Sequence, residues 1–432
     1  MISATSSLPQ WRRIGIMAAL IGAGECVFLL PFVVARIFRP TFLDVFDLTN
    51  LQLGTAFALY GVVAMVSYFL GGPLADKFSA RKLMTLALIA TSVGGVLFAT
   101  VPGLKILTLL YGFWGFTTIM LFWAALIRAT REWGGVASQG RAYGILDGGR
   151  GFLAALLASI SVMIFAALLP EDVSSATLAQ RTTALKQIIG IFTGIVLAIA
   201  LVVWLSVPDS TPGSHRSPEH RLSKVGVRKV LQMPNVWLQA IIVVCAYVGY
   251  KCTDDFSLYA RDAFGYDDVA AARIGTISFW VRPFAAVGAG LLADHFKASW
   301  VVALSFVIML LGSMAIAMGA LQLNVTWMLV FTVAATSAGI YGLRGIYFAL
   351  FEEGKVPLAL TGTAVGLVST VGFTPDIFMG PLMGYLIDRS PGALGHQHVF
   401  MVLTAFALVG LISALWFRQV SKKPVNSETK GR

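Results

Sequence analysis

Gly71-Gly72-Pro73-Leu74-Ala75-Asp76-Lys77-Phe78-Ser79-Ala80-Arg81-Lys82 is a short charged stretch between two long apolar runs. A weaker copy follows much later, Gly290-Leu291-Leu292-Ala293-Asp294-His295-Phe296-Lys297. A charged loop between apolar runs, met once in each half, points to a duplicated membrane protein. Composition agrees: 57% of the 432 residues are hydrophobic and 12% are charged, about half the charged fraction of a soluble domain. Mean hydropathy is +0.80. Such a chain cannot cover a water-facing surface, so its main solvent is lipid. The formal charge of +11 would indicate nucleic acid only as a patch on a soluble face. Here the basic residues sit in gaps between apolar runs, where they set topology, and no nucleic-acid partner is expected.

A spanning helix needs roughly 20 mainly apolar residues. Spans are expected at about 14–38, 51–71, 83–102, 105–127, 142–169 and 187–207, then at about 236–263, 268–292, 299–320, 326–350, 359–387 and 398–417. Runs this continuous predict helices rather than the short alternating segments of a barrel. Arg12-Arg13 before an apolar run resembles a signal peptide, but the run is too long and contains Glu25, so a retained helix is expected. The polar, Pro-rich and basic segment at about 208–235 reads as a linker ending in a short surface helix. It joins an N-terminal six-helix bundle (1–207) to a C-terminal one (236–417), followed by a short tail (418–432). Arg12, Arg13, Lys77, Arg81, Lys82, Arg128 and Arg131 lie on one side, with fewer basic residues opposite. Both termini are therefore expected in the cytoplasm of a cell with this protein in its inner (plasma) membrane.

The halves match in pattern. Leu53-Gly54-Thr55 opens the second span and Ile274-Gly275-Thr276 lies early in the eighth; Gly140-Arg141-Ala142-Tyr143-Gly144 and Gly362-Thr363-Ala364-Val365-Gly366 open the fifth and eleventh. Parallel halves of this kind place a site near the membrane midplane, between them. Cys26, Cys245 and Cys252 lie in apolar runs without C-x-x-C spacing, so no disulfide is expected. His396-Gln397-His398 reads as a solvated loop rather than a metal site. No phosphate-binding loop and no nucleophile–His–acid set is present, so neither an enzyme nor a nucleotide-driven pump is expected, and no cofactor is implied.

Gly72-x-Leu74-Ala75-Asp76-Lys77-Phe78 with Arg81-Lys82 resembles the signature loop of the major facilitator superfamily, departing from it at Ser79 and Ala80. The twelve spans, the central linker and the degenerate copy extend the resemblance over nearly the whole chain. It implies an all-α fold of two six-helix bundles that rock about a central site, acting as a monomer on a small-molecule substrate with protons or a counter-anion. It also implies gating by Asp76, Lys77, Arg81, Arg128 and Asp294, with Asp76 facing the helix start near Thr361 or pairing with Arg128 or Arg131. The alternative is that the loop's basic residues only set topology. The fifth span reads Leu146-Asp147-Gly148-Gly149-Arg150-Gly151-Phe152, without the Gly-Pro motif of drug exporters. Gln139-Gly140-Arg141-Ala142-Tyr143-Gly144 is more similar to the bacterial organic-anion and sugar-phosphate carriers.

Ionisable groups at membrane depth are costly and mark pathways, partners or both. Those here are Glu25, Asp147, Arg150, Lys251, Asp254, Asp255, Arg282, Arg344 and Asp376. Asp147 with Arg150, and Lys251 with Asp254 and Asp255, have the spacing to pair on their own helix. Arg344 is placed to snorkel. Glu25 and Arg282 lack a local partner. An arginine fork suits a planar anion, so Arg150 and Arg282 are expected to clamp one, with Trp280 and Tyr250 beside them. Glu25, Asp255 or Asp376 is expected to carry a proton, since burial favours the neutral carboxyl and a nearby arginine favours the ionised one. Trp114, Phe122, Trp123 and Tyr341 are further cavity aromatics, or packing residues. The reading is a secondary active transporter of a small organic anion (sugar acid, sugar phosphate or sulfonate) by proton symport or anion exchange. The alternatives are a proton-driven exporter of neutral or cationic compounds and a non-transporting membrane sensor, which would bring an added domain or a longer tail.

Overall fold

In the computed structural model, residues 9–135, 139–209, 224–321, 325–357 and 360–422 are described, and among them the chain is helical without strands. Among the described residues, twelve helices are long and apolar enough to cross a membrane. They are α1 (Gln10–Ile37), α2 (Asn50–Lys77), α3 (Ala80–Phe98), α4 (Leu104–Gly134), α5 (Arg141–Ala167), α6 (Leu178–Ser206), α7 (Pro234–Phe264), α8 (Asp268–His295), α9 (Ala298–Ala317), α10 (Thr326–Glu353), α11 (Thr363–Arg389) and α12 (Ala393–Lys422). Each expected span falls on one of them. The linker core, 210–223, and the tail beyond Lys422 lie outside the described residues; the basic end of the linker forms the helix Lys224–Leu231.

Local sequence sets where these helices start and break. Thr49 with Gln52, and Thr177 with Gln180, form capping boxes for α2 and α6, and Asp267 caps α8 through the N–H groups of Val269 and Ala270. Each cap satisfies backbone donors that would otherwise lack partners. In α1, Pro31 has no N–H to give, and the ladder slips: the Val33 N–H reaches the Phe28 carbonyl, five residues back, through a π-turn over Leu29–Val33. In α7 a tighter turn at Thr253–Asp255 interrupts the helix. In α11 the regular helix stops at Gly372 and restarts at Pro375. These irregular turns lie close to Glu25, Asp254, Asp255 and Asp376, the charged groups of the membrane interior.

Helices α1–α6 and α7–α12 form two bundles that meet mainly along α2 with α11 and α5 with α8. The α2–α11 contact is backbone on backbone. A Cβ on Gly54 would stand 2.1 Å from the Gly380 carbonyl oxygen, and one on Gly384 would stand 2.4 Å from the Asn50 oxygen. Small residues permit this approach in lipid.

The two ends of the molecule differ. At the end where α2 begins, Asp388 of α11 accepts from the Leu51 N–H at 2.8 Å and from Asn50 N–H at 3.1 Å. Arg261 of α7 reaches Asp44 at 3.0 Å, and Arg181 of α6 reaches Asp268 at 3.1 Å. Arg36 pairs with Asp254, and the Ser257 hydroxyl donates to the Arg36 carbonyl at 2.9 Å. All of these join one half to the other. At the opposite end Asp76 and Asp294 are exposed and, among the described residues, have no hydrogen-bond or ion-pair partner. The molecule is closed where α2 starts and open where it ends.

Candidate functional site

Glu25 is carried by α1 just before the π-turn and is 3% exposed. Arg150 of α5 and Arg282 of α8 converge on it. Arg150 Nε stands 3.6 Å, and Arg282 Nη1 3.4 Å, from the same oxygen, Glu25 Oε2. Arg150 passes α1 at Gly24, where a Cβ would stand 2.9 Å from its Cδ. Its other contact is Asp147 at 3.4 Å, and Asp147 is 67% exposed although it lies within α5. A carboxylate so exposed at that depth faces the open end. Arg150 and Arg282 thus meet between the halves with Glu25 between them. Ideal charged N–H···O contacts are about 2.7–2.9 Å, so both guanidiniums hold Glu25 loosely, and Arg150 Nε makes no hydrogen bond.

Tyr250 joins this centre and Arg344 adds a third cation. Arg344 does not snorkel. Its guanidinium lies over the Tyr250 ring at 3.8 Å and near that of Tyr247 at 5.5 Å, with Nη1 buried and unpartnered. No carboxylate pairs with it among the described residues. Arg36 contacts Tyr250 from another side, donating to its hydroxyl at 3.3 Å. Tyr341 stands 6.3 Å from Tyr250, and Trp123 lies 5.6 Å from the Arg150 guanidinium. Trp280 is a correction. It is two residues from Arg282, about 200° round the helix, and its N–H donates instead to the Ser159 hydroxyl at 2.8 Å on the exposed α5–α8 seam. Trp114 and Phe122 are fully buried core residues, and Trp114 donates to the Thr91 carbonyl.

A second charged group lies toward the closed end. Lys251 stands 3.3 Å from Asp376 and 3.6 Å from Asp254, and Asp376 also accepts from the Tyr247 hydroxyl at 2.9 Å. Lys251 thus bridges α7 and α11 instead of only pairing along its own helix. Asp255 departs from the expected cluster, because the tight turn at Thr253–Asp255 aims it away from Lys251. Its Oδ2 meets Nδ1 of His396 at 2.7 Å. His396, expected in a solvated loop, is fully buried, since α12 starts at Ala393 and carries it inside. No local signal marks it, because His396 precedes the apolar run that begins at Val399. Asp255 does not meet Glu25, Arg150 or Arg282.

The loop after α2 is tied back to its own half. Arg81 pairs with Asp209 at 2.7 Å and lies over the Trp204 ring at 4.7 Å, and Lys82 stands 3.7 Å from Asp209. Arg128 does not pair with Asp76. It donates to the Ala75 and Phe78 carbonyls and to Glu132, a cation on the negative end of α2. Lys77 and Asp294 are exposed.

Two six-helix halves around a buried cationic centre, closed at one end and open at the other, define a membrane transporter. The sequence profile described as Major Facilitator Superfamily matches residues 14–373. The chain belongs to the major facilitator superfamily. It is 25% identical to the inner membrane protein YqcE of Escherichia coli (strain K12) over 428 residues, 95% of this chain and 96% of that one. It is also 25% identical to the inner membrane protein YihN of the same organism over 421 residues, 95% and 97% of the two chains. Its fold is similar to a bacterial homologue of the human lysosomal transporter Spinster in an inward-facing, unoccupied conformation, with TM-score 0.72 and 16% identity over 96% and 98% of the chains. The nucleoside transporter NupG superposes with TM-score 0.72 and 14% identity over 94% and 99%. The protein is a multi-pass plasma-membrane carrier, not an enzyme.

Proposed function

We propose that this carrier moves a small organic anion, of the size of a sugar acid, sugar phosphate or sulfonate, by proton-coupled alternating access. The observation behind this is the shared oxygen of Glu25. Two guanidiniums from opposite halves already hold one carboxylate between them, at distances that leave both under-bonded. A substrate oxyanion fits the same place with shorter contacts, and Arg344 supplies an unpaired donor over Tyr250. Anion entry displaces Glu25 from both guanidiniums, and a proton carried in with the anion offsets the carboxylate so released. The open end, bearing Asp76, is assigned to the cytoplasm on the distribution of basic residues.

The test is a thermal-shift screen of the purified protein against sugar acids, sugar phosphates, sulfonates, neutral sugars and organic cations, repeated with Arg282→Gln. Stabilisation by one anion class, lost in Arg282→Gln, is the expected result. Equal stabilisation of both forms by neutral or cationic compounds, with none from anions, overturns it in favour of an exporter. Binding without uptake into proteoliposomes points to a sensor.

A further inference from the structure

His396 stands apart from the Glu25 centre and is held on both sides. Its Nδ1 is 2.7 Å from Asp255 Oδ2 and its Nε2 is 3.3 Å from Asp262 Oδ2. An ionised carboxylate only accepts hydrogen bonds, and a neutral imidazole has a single N–H. Both contacts are hydrogen bonds only when the trio holds one further proton, as an imidazolium or on a carboxyl. His396 and Asp255 are fully buried, and among the described residues Asp255 Oδ1 has no hydrogen-bond partner.

The trio also touches the seam between the halves. Asp262 Oδ1 accepts from Arg261 Nε at 3.2 Å, and Arg261 Nη1 crosses to Asp44 at 3.0 Å. Asp44 also receives Arg181 at 3.5 Å, which returns to Asp268 at 3.1 Å. The remaining titratable neighbours are on α7: Tyr259, whose ring centroid is 5.4 Å from that of His396, and the buried Cys252. Lys251 and Asp254, just ahead on α7, are engaged with Asp376 and Arg36.

We infer that Asp255, His396 and Asp262 form a proton-binding site whose occupation favours closure at the end where α2 begins. With the proton bound, two carboxylates and one imidazolium leave one net negative charge, which Arg261 balances while still holding Asp44. With the proton lost, two carboxylates compete for Arg261, draw it off Asp44, and loosen a cross-half tie. The site is independent of the substrate reading, because it involves neither Glu25, Arg150 nor Arg282.

Spin labels placed by Lys105→Cys and Leu394→Cys report the separation of the halves at this end, and the native cysteines are too buried to label. In purified full-length protein without substrate, the distance distribution is expected to move to longer values as pH rises. In His396→Gln it is expected to stay the same at every pH. Should His396→Gln fail to fold, Asp262→Asn, altered at a partly exposed position, is expected to lose the pH dependence likewise. The inference is overturned if the parent protein shows no pH-dependent movement, or if the variants move with pH as the parent does.

Discussion

Arg150 and Arg282 reach one oxygen, Glu25 Oε2, from opposite halves of the molecule, at 3.6 and 3.4 Å. One carboxylate thus joins the two bundles at the site where substrate is expected. This is a buried charge network in which each member depends on the others.

Glu25→Gln removes the resident negative charge without changing its shape. Anions are expected to bind at least about tenfold more tightly to the variant, since about 1.4 kcal/mol of competition is a modest share of such a pairing. Titration calorimetry of the parent protein and the variant checks this.

Arg344→Gln is expected to abolish anion binding and to lower the melting temperature only modestly, through loss of its stacking on Tyr250, since its Nη1 has no hydrogen-bond partner to lose. Trp280→Phe, which removes only the bond to Ser159, should leave anion binding unchanged. Thermal shift with and without anion separates the two.

Asp388 and Asp76 lie at opposite ends of α2, and reciprocal latching by the two is proposed. Asp388 caps α2 in the observed state, while Asp76 is exposed at the far end of α2. Asp388→Asn is expected to weaken the closed end by about 1 kcal/mol, roughly fivefold in the conformational equilibrium. Asp76→Asn should leave this state intact, disfavour the opposite one, and lower transport without affecting insertion. Thiol accessibility at the two ends measures the shifts, and normal uptake kinetics in Asp76→Asn would remove its latch role.

Gly54→Ala is expected to separate α2 from α11 and abolish transport, since its Cβ would overlap the Gly380 carbonyl. Gly190→Ala, with open space at its Cβ, is the control and should transport normally. Uptake in proteoliposomes decides between them.

The fold was legible because long apolar runs and the Asp76 loop are local signals. Glu25 and Arg282 were legible as expensive charges without neighbours on their own helices, and Arg150 as an arginine fork suited to an anion, although Asp147 lies within one turn. Their sharing of one oxygen was not, because it depends on where α1, α5 and α8 cross. The place of Trp280 was hidden for want of the helix phase, which turns it to the seam when Arg282 faces inward. Arg344 and His396 sat close enough to helix ends to pass for interfacial residues. The chain path, not composition, carries them inside. Asp255 left its neighbours through a single tight turn in α7 that no spacing rule marks.

The glycine contact between α2 and α11 bears on how the carrier responds to temperature. Where Gly54 meets Gly380, opening exposes peptide groups rather than apolar side chains. Wetting peptide groups lowers heat capacity, whereas wetting hydrocarbon raises it. Opening at this contact should therefore contribute a negative heat-capacity change, opposite in sign to the one that parting apolar side chains would bring, and so bend the temperature dependence of the exchange the other way.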